Sequence, residues 1–308
     1  MKTNLKQISH KKIVWYQATE PTTEDLDYLR EKFGFHPLDI EDVKTTSQRP
    51  KLEDYDDYIF LVLLFAYYDR QVREIIPVEV DFFIGKNYLV STCDTRLDQV
   101  ELFFRECLED EAVREHYMAG HPVALLQEIM HRLQSQTYLM LDHISIDIEN
   151  IERQIFTGRE RRMVKEILAI RRNIVSFRRI MQTHKNVIKH LMATHTKFFM
   201  PDEMNTFFAA TLDRSKDIWD YLETHKENIE AFAQTNEALI SFKLNDIMKI
   251  LTVISVILIP ANLVASIFGM NITHVPLATN PQGFWVVLGI IGAVILSFLT
   301  WFKSKRWL

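Results

Sequence analysis

Cysteine and glycine are scarce in this 308-residue chain, at two and eight residues, which excludes a disulfide-stapled scaffold and a collagen-like repeat. A basic excess is also missing. The 36 Lys and Arg are outnumbered by 41 Asp and Glu, for a net charge of −5, which argues against a general nucleic-acid binder. No GxxxxGKS/T phosphate loop occurs, since Gly85-Lys86-Asn87 lacks both the upstream glycine and the hydroxyl. Zinc-type ligand spacing and a nucleophile–base pairing are likewise absent, so nothing points to an enzyme. The most informative absence is local. From Ile250 to Phe302, 53 residues pass without an Asp, Glu, Lys or Arg.

That charge-free run holds two apolar blocks, Ile250–Phe268 and Phe284–Phe302, of 19 residues each. About 20 helical residues cross a hydrocarbon core of roughly 30 Å, so each block is long enough to span a membrane. The connection Asn271–Gly283 carries Pro276, Asn280, Pro281 and Gln282 and reads as an exposed loop. Lys243 and Lys249 precede the first span and Lys303, Lys305 and Arg306 follow the second. The positive-inside rule therefore predicts a cell (inner) membrane protein with both chain ends in the cytoplasm. Met1–Lys12 shows no apolar core of a signal peptide. Without the three C-terminal positive residues the upstream chain has a net charge of −8, so the expected architecture is an acidic cytoplasmic body on a two-helix anchor. Cys93 and Cys107 are then expected as buried thiols in a reducing compartment.

Upstream, glycine and proline punctuate the chain up to Pro122 and then nearly vanish. Ile13–Gln17, Tyr58–Tyr67, Val78–Ile84 and Tyr88–Thr92 read as strands, the last two joined by a hairpin at Gly85-Lys86-Asn87. Thr22-Thr23-Glu24-Asp25 reads as a capped helix start, with Leu26, Leu29 and Phe33 on one face. Val123–Thr157, Arg159–Met200 and Asp202–Ile259 read as long helices, the third running unbroken into the first membrane block. Trp219, Leu222, Ile229, Phe232, Leu239, Leu244 and Ile247 give it an approximate apolar face. Arg159–Lys189 carries ten basic and two acidic residues. Such a patch suits nucleic acid or lipid headgroups, but a solvated helix facing Asp142, Asp147, Glu149 and Glu152 is the favoured expectation.

The first span is not uniformly apolar. From Asn245, alternating steps of three and four reach Met248, Thr252, Ser255, Ile259, Asn262 and Ser266, one helix face on which five of seven members are polar. Packing against another helix through Ser and Thr is one use of such a face, and a water-filled path is the better fit to the whole stripe. One chain supplies one such helix, so a path requires a ring of copies. Its lining offers only amide and hydroxyl oxygens. Magnesium sheds water reluctantly, and neutral oxygens can hold its retained water shell.

The residues at the end of this helix, Gly269-Met270-Asn271, together with the tail Lys305-Arg306-Trp307-Leu308, resemble the CorA magnesium transporters. The resemblance extends upstream through His36-Pro37-Leu38-Asp39-Ile40-Glu41-Asp42, Gln48-Arg49-Pro50-Lys51, Glu53-Asp54-Tyr55-Asp56-Asp57-Tyr58, Phe82–Leu89 and Asn245–Thr252. It implies an α+β/α architecture: an N-terminal α/β cytoplasmic domain, a long helical stalk, a C-terminal two-helix transmembrane hairpin and a homopentameric pore. The expected segments are the α/β domain over 1–120, antiparallel long helices over 121–201 and the stalk over 202–249. The first span then covers 250–271, an outer loop 272–283, the second span 284–302 and a basic tail 303–308. Gly269, Met270 and Asn271 would form the selectivity motif, a ring of Asn271 holding the hydrated ion. Asn245 would line the cytoplasmic end, with Met248, Leu251 and Ile259 as apolar constrictions that gate by dewetting. Lys303, Lys305 and Arg306 would form a basic collar.

Magnesium would be the substrate and a regulatory ligand, with cobalt or nickel also passed. The partners implied are divalent ions, the lipid bilayer and further copies of the chain, without nucleic acid. The sequence departs from many relatives in two places. The outer loop lacks an acidic Met-Pro-Glu-Leu stretch, and Ala210 stands where a regulatory carboxylate is expected, leaving Asp213, Asp217 or Asp220 as substitutes. Two alternatives stay open: a zinc-carrying member, for which His274 is a possible ligand, and a membrane-tethered sensor without transport.

Overall fold

The computed structural model describes residues 4–46, 49–194, 201–270, 282–305 and 307, and divides into two compact units, Met1–Ala233 and Gln234–Leu308. Expectations placed on Gln48, Asn271, the loop with His274, and Arg306 fall outside the described residues.

The first unit is built on a six-stranded sheet ordered β1-β2-β6-β5-β4-β3, comprising β1 (Leu5–His10), β2 (Ile13–Thr19), β3 (Lys51–Asp54), β4 (Tyr58–Asp69), β5 (Glu74–Gly85) and β6 (Tyr88–Cys93). Only β2 and β6 pair in parallel. The first nine residues of β4 are all buried, because this strand is covered on both faces and so reads as a continuous apolar run rather than an alternating one. One face packs on α1 (Thr23–Phe33) and α2 (Pro37–Thr45) through Leu26, Leu29, Phe35, Phe60 and Phe83. The other packs on α3 (Asp98–Glu109), α4 (Glu111–Met118), α5 (Pro122–Ile155), α6 (Glu160–Ala193) and the start of α7 (Pro201–Gly269). Cys93 and Cys107 are free and buried, and burial pushes both thiols up to about 12.

Local rules account for the element ends. Thr22 closes a capping box in which its hydroxyl accepts from Asp25 N at 3.2 Å while Asp25 Oδ2 accepts from Thr22 N at 3.0 Å. Gly34 ends α1 in the left-handed region at φ 71°. The expected hairpin joins β5 to β6. Strands β1 and β3 carry no clear apolar alternation. Both sit at the sheet edges with half of their residues exposed, so pairing with β2 and β4 rather than intrinsic pattern makes them strands.

α5 and α6 meet along Leu141, Ile144, Ile148, Ile151 and Ile155 on one side and Met163, Ile167, Ile170, Ile174 and Phe177 on the other. The basic residues of α6 have different partners from those expected. Arg171 pairs with Glu230, Arg172 with Glu74 at 2.8 Å, and Arg178 with Glu223. None of the described ion pairs joins α6 to Asp142, Asp147, Glu149 or Glu152. Asp142 and Glu149 lie on the far side of α5, and Asp147 borders a cavity shared with Arg73, Arg162 and Glu166 without a described ion pair to α6. Arg178 also stacks over Trp219, 4.8 Å from the ring centroid, and Gln134 of α5 donates to Thr211 O at 3.2 Å and Ser215 Oγ at 2.8 Å. These contacts seat the first part of α7 on α5 and α6.

In the second unit, α7 continues through Pro260 to Gly269, and α8 (Gly283–Ser304) forms the second long apolar helix. Pro260 lacks the N–H that would reach back four residues, a loss membrane helices tolerate when neighbouring groups resatisfy the backbone.

His184 of α6 is fully buried, its Nε2 meeting Leu64 O of β4 and its ring edge-on to Phe65 at 4.7 Å. Burial lowers its pKa to about 4, against a normal value of 6.5. The unfolded chain therefore takes up this proton first as pH falls, and the native state loses stability between about pH 6.5 and pH 4. The expected loss is about 3 kcal/mol by the lower limit. Thermal melts across this window should steepen accordingly, and His184→Gln should flatten the dependence.

Candidate functional site

The exposed surface of the second unit is the reverse of that of a soluble domain. Ile250, Leu251, Ile254, Leu258, Ile259 and Leu263 of α7 and Phe284, Trp285, Leu296 and Trp301 of α8 all stand open. Two helices of this length and composition, nearly unburied in the chain itself, have a bilayer as their natural environment. Trp285 and Trp301 sit near the two ends of α8, where indoles favour the membrane–water boundary.

Within α7 the covered and polar positions largely separate, Ser255 being the exception. Val253 and Ala261 are buried, and Val256, Ile257, Pro260, Val264 and Phe268 are half-covered. At roughly 100° per residue these seven fall on one side of the helix. Asn245, Met248, Thr252, Ile259, Asn262 and Ser266 are exposed and Ser255 is half-exposed. Their common direction lies roughly 150° from the covered side by the same angular step. The seven stripe residues share one helix face, exposed at six positions and partly covered at Ser255. Leu251 is exposed beside them.

Two of the three hydroxyl hydrogens of this face are donated to the backbone. Thr252 Oγ1 donates to Met248 O at 2.7 Å and Ser255 Oγ donates to Leu251 O at 2.8 Å. What they turn outward are oxygen lone pairs, which accept. Water bound to a cation points its hydrogens away from the ion, so these two acceptor oxygens suit a hydrated cation.

Gly269 is the last residue of α7 and has open space where a Cβ would stand, while Met270 is 55% exposed and its N–H bonds to Ile267 O at 3.4 Å. Lys303 and Lys305 are exposed at the end of α8. Asp213 is exposed and paired with Lys216 at 2.7 Å, and Asp217 and Asp220 are exposed on the same helix. Among the described residues no group of three or more His, Cys, Asp or Glu side chains is arranged to hold a metal. One feature escaped the sequence reading: Glu79 and Asp81, two acids set among Val78, Val80 and Phe82, are both buried. Their alternation with apolar residues inside a strand was the available signal.

An α/β unit, a 69-residue helix with a polar stripe and two helices long and apolar enough to cross a membrane fit a membrane protein. The family described as CorA-like Mg2+ transporter protein matches residues 10–306, and the chain belongs to that family. Among relatives, the cobalt/magnesium transport protein CorA of Thermotoga maritima is 27% identical over 295 residues, covering 93% of this chain and 80% of the relative. The putative metal ion transporter YfjQ of Bacillus subtilis is 26% identical, covering 98% of this chain and 93% of the relative. The complete structure of the CorA magnesium transporter from Methanocaldococcus jannaschii superposes with a TM-score of 0.83 at 21% identity. It covers 98% of this chain and 94% of the other.

Single cysteines along α7 test the stripe. Ser255→Cys and Asn262→Cys should react with a membrane-impermeant thiol reagent at least tenfold faster than Ile254→Cys and Ile267→Cys, in a background with Cys93 and Cys107 replaced. Equal rates on both faces would remove the water-facing assignment.

Proposed function

We propose that this chain carries hydrated magnesium along the polar stripe of α7, with each of five copies turning that face toward a common axis. The placement of Asn245, Thr252, Ser255, Asn262 and Ser266 on one face, only Ser255 of them partly covered, with Val253, Ile257, Ala261 and Val264 turned the other way, is the observation that carries the reading. The face would be wasted on lipid, and one chain cannot enclose a path. Both chain ends lie in the cytoplasm on this reading, in keeping with Lys243, Lys249, Lys303, Lys305 and Arg306 flanking the spans.

Within the ring, Gly269 and Met270 bring the Asn271 side chains to the outer mouth, where five amides accept hydrogen bonds from the ion's water shell. Stripping that shell is costly for magnesium, and neutral oxygens do not demand it. Asn245 repeats the amide chemistry at the cytoplasmic end. Met248, Leu251 and Ile259 supply the apolar rings that close the path when it dries. Lys303, Lys305 and Arg306 form a positive collar at the inner mouth. The membrane potential drives entry, since a divalent ion crossing 100 mV gains about 4.6 kcal/mol. Cobalt and nickel share the charge and octahedral hydration and pass by the same route, and the printed name of the Thermotoga relative couples cobalt with magnesium. The salt-bridged Asp213 and open Asp217 favour weak or relocated intracellular regulation by magnesium.

Proteoliposomes with an imposed inside-negative potential should take up magnesium, and Asn271→Ala should lower the flux at least tenfold while leaving assembly intact. No potential-dependent divalent flux by the intact protein would overturn the reading. The detergent-solubilised particle should have a mass near five chains, and a mass near one 36.4 kDa chain would exclude the ring.

A further inference from the structure

Pairing with Glu230, Glu74 and Glu223 accounts for Arg171, Arg172 and Arg178 in the middle of α6, and leaves the turn between α5 and α6 unexplained. Residues 153–165 carry Arg153, Arg159, Arg161, Arg162 and Lys165, in an upstream chain whose net charge is −8. All five side chains are exposed, and none has an ion pair among the described residues. Arg153 and Arg159 bond only to neutral amides, those of Asn150 and Gln154. The single acid of the segment, Glu160, is buried. At the turn itself Phe156 is 66% exposed, and Val164 and Leu168 stand open one helical turn apart on α6.

Two of the ion pairs also fix where this turn lies in the first unit. Arg178 meets Glu223, and Arg171, earlier on α6, meets Glu230, later on α7, so the two helices run antiparallel. From Arg171, α6 continues for about 18 Å back to Arg159. The turn therefore lies at the end of the unit from which α7 leaves toward its apolar stretch. A lone exposed phenylalanine is ordinary, and so is a lone unpaired arginine. Together they make a specific chemistry, an apolar ring for the headgroup–acyl boundary set among guanidinium forks that match phosphate.

We propose that the α5–α6 turn docks on the surface of an anionic bilayer, with Phe156 entering the headgroup region and Arg159, Arg161 and Arg162 binding lipid phosphates. Lipid is the occupant because α7 ties this end of the unit covalently to the apolar helices, which keeps a bilayer surface at high effective concentration. One aromatic ring alone gives weak attachment. Each basic residue near an anionic surface strengthens it about fivefold, so the cluster turns a weak contact into an effective one. Docking rests on the reading of α7 and α8 as membrane spans and not on conduction along α7.

The test uses the full-length protein in lipid nanodiscs, with Cys93 and Cys107 replaced. Thr157→Cys carries a fluorophore at the exposed turn, and Lys185→Cys carries it near the other end of α6. In discs of phosphatidylcholine with phosphatidylglycerol, a nitroxide on the lipid headgroups should quench the label at 157 and leave the label at 185 bright. Pure phosphatidylcholine should remove most of the quenching. So should raising the salt from about 0.1 M to about 1 M, which shortens the Debye length from about 10 Å to about 3 Å. Arg161→Gln and Arg162→Gln should each lower the ratio of docked to free turns about fivefold. Phe156→Ser should lower it as well, and all three variants should keep the parent melting temperature, since the side chains are exposed. Incorporation without quenching at 157 would overturn docking, as would equal quenching at both labels. A label at 157 already shielded from water in detergent would also overturn it, giving the turn to a second copy of the chain. Failure to enter discs at all would overturn the membrane reading of α7 and α8 together with docking, which separates the two.

Discussion

Hydrocarbon offers no hydrogen bonds, and the C-terminal unit is organised by that constraint. Backbone groups within a bilayer must be satisfied internally, so both charge-free blocks become helices, and side chains that face lipid must be apolar. A face bearing Asn245, Thr252, Ser255, Asn262 and Ser266 breaks the second condition unless it meets water or another protein surface. With the covered positions Val253, Ile257, Ala261 and Val264 on the opposite side, the polar face is left uncovered in the single chain. The proposed ring of copies rests on that unsatisfied face more directly than on any one residue.

The two units handle charge in contrasting ways. In the α/β unit, cations are matched by carboxylates on neighbouring elements, as in Arg178 with Glu223 and Arg172 with Glu74, so the middle of the basic helix is absorbed into packing. In the spans no charged group remains, and on the proposed function cation handling falls to oxygens such as those of Thr252 and Ser255, whose hydrogens are donated along the helix. A fixed carboxylate in such a path would bind a divalent ion strongly and slow its departure, whereas acceptor oxygens can pass a hydrated ion along.

Much of this was legible in the residues. The 53-residue charge gap announced the spans, because hydrophobic length is a local property that no tertiary contact overrides. The buried strands β4, β5 and β6, the cap at Thr22 and the three long helices were legible for the same reason: their signals lie within one segment. Strands β1 and β3 were not, since Lys51–Asp54 has Leu52 as its single apolar residue and extends only because β4 supplies its partner. The partners of Arg171, Arg172 and Arg178 were misjudged because chain proximity favoured the acids of α5. The fold instead brings Glu74, Glu223 and Glu230 from distant positions.

By itself the sequence determined the membrane segments, the periodic placement of the polar residues and the family, since each depends on composition and spacing along one helix or one motif. Only the tertiary structure decided which face of α7 is covered, which carboxylates meet which arginines, and that Glu79 and Asp81 share one buried wall. Those are relations between elements far apart in the chain, set by how sheet and helices pack, and no local pattern encodes the distance between them.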